Sequence, residues 1–126
     1  MTGLLTIPDS VVIISSSAFN GCSRLTGPIN IPSSVTAIGS NAFFFCGNFT
    51  SLTLPSNVAS IGAAAFANCV LLATIYIYNH TPPVAVSNAF DVIDKTLCIL
   101  HVPVGSISAY DTAAVWTDFV NIVEDL

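Results

Sequence analysis

Apolar residues recur at fixed positions along the chain, and the pattern appears three times. The segments 8–19, 32–43 and 55–66 read PDSVVIISSSAF, PSSVTAIGSNAF and PSNVASIGAAAF. In each, Val, Ile, Ala and Phe follow the proline by three, six, ten and eleven positions, and a cysteine follows the Phe by three. The equivalent phenylalanines lie 24, 23 and 24 residues apart at Phe19, Phe43, Phe66 and Phe90. Periods of this length predict a solenoid, in which each repeat forms one coil and neighbouring coils stack their apolar residues into a continuous core.

Short segments between these units alternate apolar and polar residues with the period of two that is typical of β-strands. They are Leu5-Thr6-Ile7, Ile29-Asn30-Ile31, Leu52-Thr53-Leu54 and Ile75-Tyr76-Ile77. Stacked in parallel, they predict one sheet, and a following proline ends a strand because it has no N–H to donate. The Val-x-x-Ile stretch predicts a second, shorter extended face. The AF-x-x-C stretch predicts a single helical or 3-10 turn whose Phe and Cys share the inner side.

The repeat register is lost after Tyr78, and the chain ends in a different kind of segment. Repeats are predicted at about 5–30, 31–53 and 54–77, followed by a degenerate repeat at 78–103 and a C-terminal cap at 104–126. The degenerate repeat ends in a last strand with Leu100 and Val102 in the core columns. The whole chain, 1–126, is therefore predicted to be a single domain.

The cap segment differs from the repeats because it contains a helical pattern and several acidic residues. Ser106 is the predicted N-cap of a short helix over residues 107–114. Trp116 and Phe119 are predicted to cover the open end of the core. A polar cap of this kind keeps the end of a solenoid soluble.

The bend of the repeat and two departures from the regular pattern carry structural predictions. Gly39 and Gly62 mark the bend after the second face, and Ser15 occupies that position in the first repeat. One extra residue near Gly27-Pro28 predicts a small bulge. The chain also starts directly on a repeat, which predicts an uncapped sheet end at residues 4–8.

The units IPSSVTAIGSNAFFFCGNFTSLTLP and LPSNVASIGAAAFANCVLLATI closely resemble the BspA-like (Treponema-type) leucine-rich repeat. The tail CILHVPVGSISAYDTAAVWTDFVNIVE is similar to the C-terminal cap common in that family, so the resemblance covers residues 5–124. It implies a right-handed leucine-rich-repeat solenoid of mostly parallel β-structure with short helical or 3-10 turns. It also implies an extracellular or cell-surface location and a non-catalytic role in adhesion or protein–protein contact, with a host or self protein as partner.

Composition narrows the classes of partner. Hydrophobic residues make up 53% of the 126 residues and charged residues only 7%, against about 25% in typical proteins. The net charge is −5, and Arg24 and Lys95 are the only basic residues. Nucleic-acid binding needs a basic patch, so it is excluded, and anionic membrane surfaces are disfavoured. Residues 61–78 have the length and hydropathy of a membrane-spanning helix, but they carry the repeat pattern, so no membrane insertion is expected.

The four cysteines are candidates for free thiols, a disulfide or metal ligands. Cys22, Cys46 and Cys69 share one column, and stacked strands would set them about 4.7–5 Å apart at the backbone, which is within disulfide range. A buried column suits a small hydrophobic side chain, so free thiols are favoured over a disulfide or a metal site. No C-x-x-C spacing supports zinc. Cys98 lies near the last strand, where it is either buried or half exposed.

The two histidines do not predict an enzyme. A catalytic histidine needs a positioned nucleophile and an orienting carboxylate, and the uncharged stretch from Leu25 to Phe90 supplies no carboxylate. His80 lies in a proline-rich turn and His101 at an outward strand position, and we expect neither catalysis nor a cofactor. Glycosylation at the sequons of Asn48 and Asn79 stays a minor alternative tied to a protist source.

Two surfaces are candidates for partner binding. The first is the outward column of the main sheet, which consists of Thr6, Asn30, Thr53, Tyr76 and His101 and is flanked by Ser51, Thr74 and Tyr78. Solenoids bind along such faces and tyrosine contributes contact area, although a solvated face that binds nothing is the alternative. The second is Phe44 and Phe45, at positions held by Asn20-Gly21 and Ala67-Asn68 in the neighbouring repeats. Exposed apolar residues often mark contacts, unless one of these rings packs against the adjacent coil.

A structural role is the alternative function. The uncapped N-terminal end would expose strand backbone and core, which proteins normally protect. The chain is then a self-associating segment of a larger repeat protein, and it forms a homodimer through that end.

Overall fold

The computed structural model describes residues 3–126, which form a solenoid of stacked coils with two parallel sheets. The elements are β1 (Ile13–Ile14), β2 (Gly27–Asn30), β3 (Ala37–Ile38), β4 (Phe49–Leu54), β5 (Ser60–Ile61), β6 (Thr74–Ile77), β7 (Val84–Ala85), β8 (Ile99–Val102), α1 (Ile107–Thr112), a 3-10 helix (Trp116–Asp118) and β9 (Asn121–Glu124). The main sheet has the order β2-β4-β6-β8-β9, and the second sheet has the order β1-β3-β5-β7. Successive coils therefore add one strand to each sheet, as the two predicted faces require.

The apolar positions of the main sheet form continuous buried columns. Leu52, Ile75 and Leu100 pair in register across β4, β6 and β8, and all three are fully buried. Leu54 and Ile77 form the neighbouring column and are buried to the same degree. Each such side chain contributes about 1.5–3 kcal/mol when it leaves water. The predicted ladder positions are confirmed as the core except in the first coil, where Leu5 and Ile7 are only partly buried.

The phenylalanine column is a stack of rings along the solenoid axis. The ring centroids of Phe19 and Phe43 lie 5.2 Å apart, those of Phe43 and Phe66 5.2 Å, and those of Phe66 and Phe90 5.4 Å, with interplanar angles of 14°, 5° and 8°. Trp116 closes this stack on Phe90 with a centroid separation of 5.2 Å. The cap therefore covers the open end of the core through the aromatic side chain that the sequence predicted.

The AF-x-x-C stretches form tight turns that are bonded both internally and between coils. The Cys46 N–H donates to Phe43 O at 3.3 Å, the three-residue spacing of a 3-10 turn. The Phe43 N–H donates to Ala65 O of the next coil at 2.8 Å, and the Phe66 N–H donates to Ala89 O at 2.8 Å. Each turn thus binds the equivalent turn of the next coil, which fixes one backbone geometry for all of them.

The glycine at the bend of the second and third coils lies directly against the backbone of the preceding coil. A Cβ on Gly62 would stand 2.5 Å from Ser40 N, and a Cβ on Gly39 would stand 2.5 Å from Ser16 N. The Gly39 and Gly62 N–H groups donate to the preceding coil at 2.8 Å. The fourth coil has Val86 at this position, and its N–H bond to the preceding coil lengthens to 3.1 Å. Close coil approach is therefore the reason for glycine at this bend.

The thiols of the cysteine column donate to carbonyl groups of the coil before. Cys46 Sγ donates to Phe19 O at 3.0 Å, and Cys69 Sγ donates to Phe43 O at 3.2 Å. Burial raises the pKa of Cys46 to about 11 and that of Cys69 to about 12. Cys98 is also buried, and burial raises its pKa to about 11. The four cysteines are free, so the column serves as compact core with weak inter-coil hydrogen bonds.

The predicted first strand, Leu5-Thr6-Ile7, is wrong. Gly3 forms a single bridge to Leu25, and residues 4–8 are not part of a strand. Parallel pairing would next require a donor from residue 28, but Pro28 has no N–H. The pairing register also shifts between Gly27 and Pro28, which confirms the predicted bulge and carries the first segment out of the ladder.

The cap differs from its prediction in two details. The helix ends at Thr112 instead of residue 114, whereas Ser106 occupies the predicted N-cap position but makes no side-chain cap hydrogen bond. The Ser106 hydroxyl instead donates to Pro103 O at 2.6 Å. Strand β9, which was not predicted, adds a fifth strand with Ile122 opposite Leu100. A segment of four residues is too short to show a clear alternation of apolar and polar positions in the sequence.

We expect Gly62→Ala to lower the free energy of unfolding by about 1–3 kcal/mol, because the new methyl group overlaps the backbone of the preceding coil. Gly47→Ala is the matched control, since a Cβ there would meet Val70 Cγ2 at an ordinary 3.8 Å. Urea unfolding of both variants measures the difference. Equal losses in the two variants would show that coil approach does not select the glycine.

The buried thiols predict a loss of stability at alkaline pH. In the unfolded chain they lose their protons near pH 9.0, whereas Cys46 and Cys69 keep them to about pH 11 and 12 when folded. The free energy of unfolding therefore keeps its full value below about pH 9. It falls as the pH rises from there toward the pKa values of the folded state. Urea unfolding between pH 7 and pH 10.5 measures the slope. Cys69→Ala is expected to make the fall shallower, and an unchanged slope in that variant would contradict the assignment.

Candidate functional site

The candidate site is the solvent-facing side of the main sheet. Asn30, Thr53, Tyr76 and His101 pair in register across β2, β4, β6 and β8. At about 4.8 Å per strand, the column is about 15 Å long. Val123 of β9 extends it by one position and is 41% exposed. The predicted outward column therefore exists as one straight row, except that Thr6 lies outside any strand.

The C-terminal half of the column contains two stacked rings and a carboxylate. The ring centroids of Tyr76 and His101 lie 4.7 Å apart with an interplanar angle of 19°. His101 Nδ1 lies 2.9 Å and 3.0 Å from the two carboxylate oxygens of Asp125. Because a carboxylate accepts hydrogen bonds, Nδ1 is the donor, and this contact fixes the orientation of the imidazole. The His101 side chain is 19% exposed and that of Asp125 47%, so the group is rigid and still reachable from solvent.

Tyr78 lies just beyond the end of β6 and is 48% exposed. Its N–H donates to Leu54 O at 3.0 Å, which attaches the residue to the preceding coil. Ser51 and Thr74 pair in register beside the outward column and are partly buried. Together they widen the polar face around the two stacked rings.

Phe44 and Phe45 lie in the turn of the second full coil, away from the main sheet. Their ring centroids are 5.3 Å apart and the rings meet edge to face at 68°. Phe44 is partly buried, while Phe45 is 57% exposed and has a positive φ of 62°. The two rings therefore contact each other, and the surplus aromatic surface that faces solvent belongs to Phe45.

The N-terminal end of the solenoid contains an apolar cleft of about 330 Å³. Its lining residues are Leu5, Thr6, Ile7, Pro8, Val11, Ile13, Ile14, Ser15, Ala18 and Phe19. None of these ten residues is charged. Ile13 is 60% exposed there, and Phe19 is only partly buried because its ring stacks on Phe43 alone. Apolar residues of the first coil are therefore accessible to a binding partner at this end.

The three buried cysteines are poorly suited to nucleophilic chemistry. A reactive thiol needs a lowered pKa and access to solvent, whereas burial raises the pKa of Cys46, Cys69 and Cys98. Within residues 3–126, no three His, Cys, Asp or Glu side chains are grouped so that they could hold a metal ion. In that same range, no helix combines the length and the apolar character needed to cross a membrane.

The two sequon asparagines use their amide nitrogens between coils. Asn48 Nδ2 donates to Ser23 O, and Asn79 Nδ2 donates to Val58 O at 3.2 Å. A glycan would take the same nitrogen atoms. These asparagines therefore have a structural role that the sequon alone does not indicate.

Sequence reasoning missed Asp125 as a partner of His101. The two residues are 24 apart, which is the repeat period, so the period itself was the available signal. The signal was hidden because residues 104–126 were treated as a cap outside the repeat. In the structure, β9 continues the sheet and brings the carboxylate beside the imidazole ring.

Comparison with known proteins agrees with this architecture. A family model described as BspA type leucine rich repeat region matches residues 3–100 in six copies. A search of curated proteins finds no match for the chain. Repeats of this kind generally form protein-interaction modules. The matched region covers most of the chain and all of the stacked coils before the cap, so the chain belongs to the BspA-type leucine-rich repeat family.

Proposed function

We propose that this protein is a non-catalytic adhesion module that binds a partner protein through the outer face of its main sheet. The observation that carries the proposal is the fixed arrangement of Tyr76, His101 and Asp125 in the C-terminal half of a polar face. Family membership supports a place at the cell surface or in a secreted protein. Asn30 and Thr53 continue the same face along the solenoid.

The stacked rings favour binding because they are ordered before a partner arrives. Tyr76 is held by the His101 ring at 4.7 Å, and His101 is held by Asp125, so little side-chain freedom is left to lose. Tyrosine offers apolar area together with a hydroxyl group, the combination found in energetically dominant interface residues. Asp125 adds an exposed negative charge that suits donor groups on the partner.

The same geometry gives no support for catalysis. A histidine–carboxylate pair activates a nucleophile only when a hydroxyl or thiol group lies within hydrogen-bond reach. In the described range 3–126, the side-chain contacts of His101 are with Asp125 and the Tyr76 ring. The pair therefore acts as a support for the binding surface.

We expect Tyr76→Ala and His101→Ala each to weaken binding of the partner by at least about tenfold, the loss typical of a truncated interface anchor. The partner is first captured by a photo-crosslinking amino acid at Thr53, then purified and titrated by isothermal calorimetry. Val84→Ser is the control, because Val84 is 76% exposed on the second sheet and should not affect affinity. Unchanged affinity in both the Tyr76 and His101 variants would refute the proposal.

A second candidate function is self-association through the N-terminal cleft, with a second copy as the occupant. Within residues 3–126, strand β1 pairs only with β3, so its other edge is open there to a second strand. The uncharged lining of the cleft avoids repulsion between two identical ends. In a two-fold symmetric dimer, the Phe19 ring of one copy would also stack on the Phe19 ring of the other copy. In this role the chain is a structural segment of a larger repeat protein.

Sedimentation velocity over a concentration series tests this candidate. The native chain is expected to form a reversible homodimer. Ile13→Asp is expected to raise the concentration at the midpoint of dimer formation at least about tenfold, because a charge would be buried in the contact. Val104→Asp is the control, since Val104 is 67% exposed beside the cap. A monomer at every concentration, or a dimer that tolerates Ile13→Asp, would rule the contact out.

A further inference from the structure

One column of the coil turns adopts the left-handed backbone conformation in every repeat. Its members are Gly21, Phe45, Asn68 and Val92, with φ of 73°, 62°, 61° and 67°. Glycine takes this conformation without cost, and asparagine tolerates it because its short side chain bonds locally. Phenylalanine and the β-branched valine are poor choices here, at a cost of roughly 1–2 kcal/mol each.

Contacts between coils impose this conformation on the column. The Phe45 N–H donates to Ala67 O at 3.0 Å, the Asn68 N–H donates to Asp91 O at 2.9 Å, and the Gly21 N–H donates to Phe44 O at 2.7 Å. The same bond recurs at these three coils, so their turns keep one shape whatever side chain they carry. Asparagine or glycine at position 45 would satisfy the fold with less strain.

Neither strained side chain gains burial in return. Phe45 is 57% exposed and Val92 is 66% exposed. Val70 and Leu71, in the turn that follows Asn68, are 57% and 53% exposed. Val70 Cγ2 lies 3.8 Å from the position that a Cβ on Gly47 would take, so this turn packs beside the one that carries Phe45. Phe45, Val70, Leu71 and Val92 thus lie along one edge of the solenoid, which we call the turn-edge strip.

The two ends of the strip differ in charge. Asp91 and Asp94 are exposed beside Val92. Hydrogen bonds from the hydroxyl and backbone of Thr96 lower the pKa of Asp94 and keep it charged. Lys95, which directly follows Asp94 in the chain, is partly buried, and Arg24 lies two coils away in the column that contains Leu71. Within the strip itself there is no charge, and its boundary in the fourth coil is acidic.

We propose that the turn-edge strip docks a segment of a partner protein that has adjacent apolar side chains followed by a basic residue. The apolar side chains pack on Phe45 and Val70, and the basic residue lies over Asp91 and Asp94. This surface is separate from the outer face of the main sheet, so it provides a second contact for a partner. Strain at Phe45 and Val92 is retained because the exposed apolar area has a use outside the fold.

A random-peptide phage library selected on the immobilised full chain tests the proposal. The enriched peptides are expected to contain adjacent apolar residues next to Lys or Arg. The strongest peptide is then synthesised with its basic residue intact or replaced by Glu, and its Kd is measured by fluorescence anisotropy. The version with Glu is expected to bind at least about tenfold more weakly, because the strip is acidic at that end.

Phe45→Asn separates binding from folding, because Asn68 already occupies the same column. This variant is expected to weaken the peptide at least about tenfold while its Tm stays equal or rises, since the strain is relieved. Val84→Ser is the matched control on the second sheet, and Tyr76→Ala is the control on the main sheet. Both are expected to leave peptide binding unchanged.

Four results would overturn the proposal. The first is that the library yields no binder, and the second is that Phe45→Asn binds the peptide as well as the native chain does. The third is that the selected peptides carry acidic residues beside their apolar ones. The fourth is that Tyr76→Ala loses peptide binding. Phosphatidylcholine vesicles provide a further test. If they bind the native chain but not Phe45→Asn, the strip recognises lipid, and the docking of a protein segment is refuted.

Discussion

The repeated contact between one coil and the next is the interaction on which this structure depends. Each coil buries its apolar residues only against its neighbours, so the spacing between coils has to be the same in every column. Phe19, Phe43 and Phe66 meet that condition with ring centroids 5.2 Å apart and nearly parallel planes. Gly39 and Gly62 meet it by leaving no Cβ at the closest approach of two backbones. One distance thus explains both a column of large side chains and a column of glycines.

The scarcity of charge follows from the same stacking and shapes the surfaces available to a partner. A charged residue repeated in one column would face its own kind at about 4.8 Å, where like charges repel. The outer face of the main sheet is therefore built from amide, hydroxyl and aromatic groups, and the turn edge from apolar ones. Charge reappears in the degenerate repeat and the cap, where the columns are no longer regular. Asp125 and Asp94 lie there, next to the two surfaces that we propose for binding.

Sequence reasoning succeeded wherever a residue's position was repeated. The core columns, the tight turns and the bulge at Gly27-Pro28 all follow from period and register. It failed at Leu5-Thr6-Ile7, which has the alternation of a strand but faces Pro28, a residue that cannot donate the next bond of the ladder. A strand forms only if the neighbouring strand can complete the hydrogen bonds. Pro28 is not part of the alternating pattern that predicted this strand.

The sequence by itself determined the period, and with it the solenoid, the two faces and the identity of the buried columns, because stacking repeats one local geometry along the chain. Only the tertiary structure decided which surplus side chains reach solvent and which distant groups meet. Phe44 and Phe45 are equivalent in the sequence, yet bonds to the next coil hold Phe45 at positive φ and turn its ring outward. His101 and Asp125 meet because β9 joins the sheet. Both outcomes depend on hydrogen bonds between neighbouring coils, and the local sequence pattern does not specify those bonds.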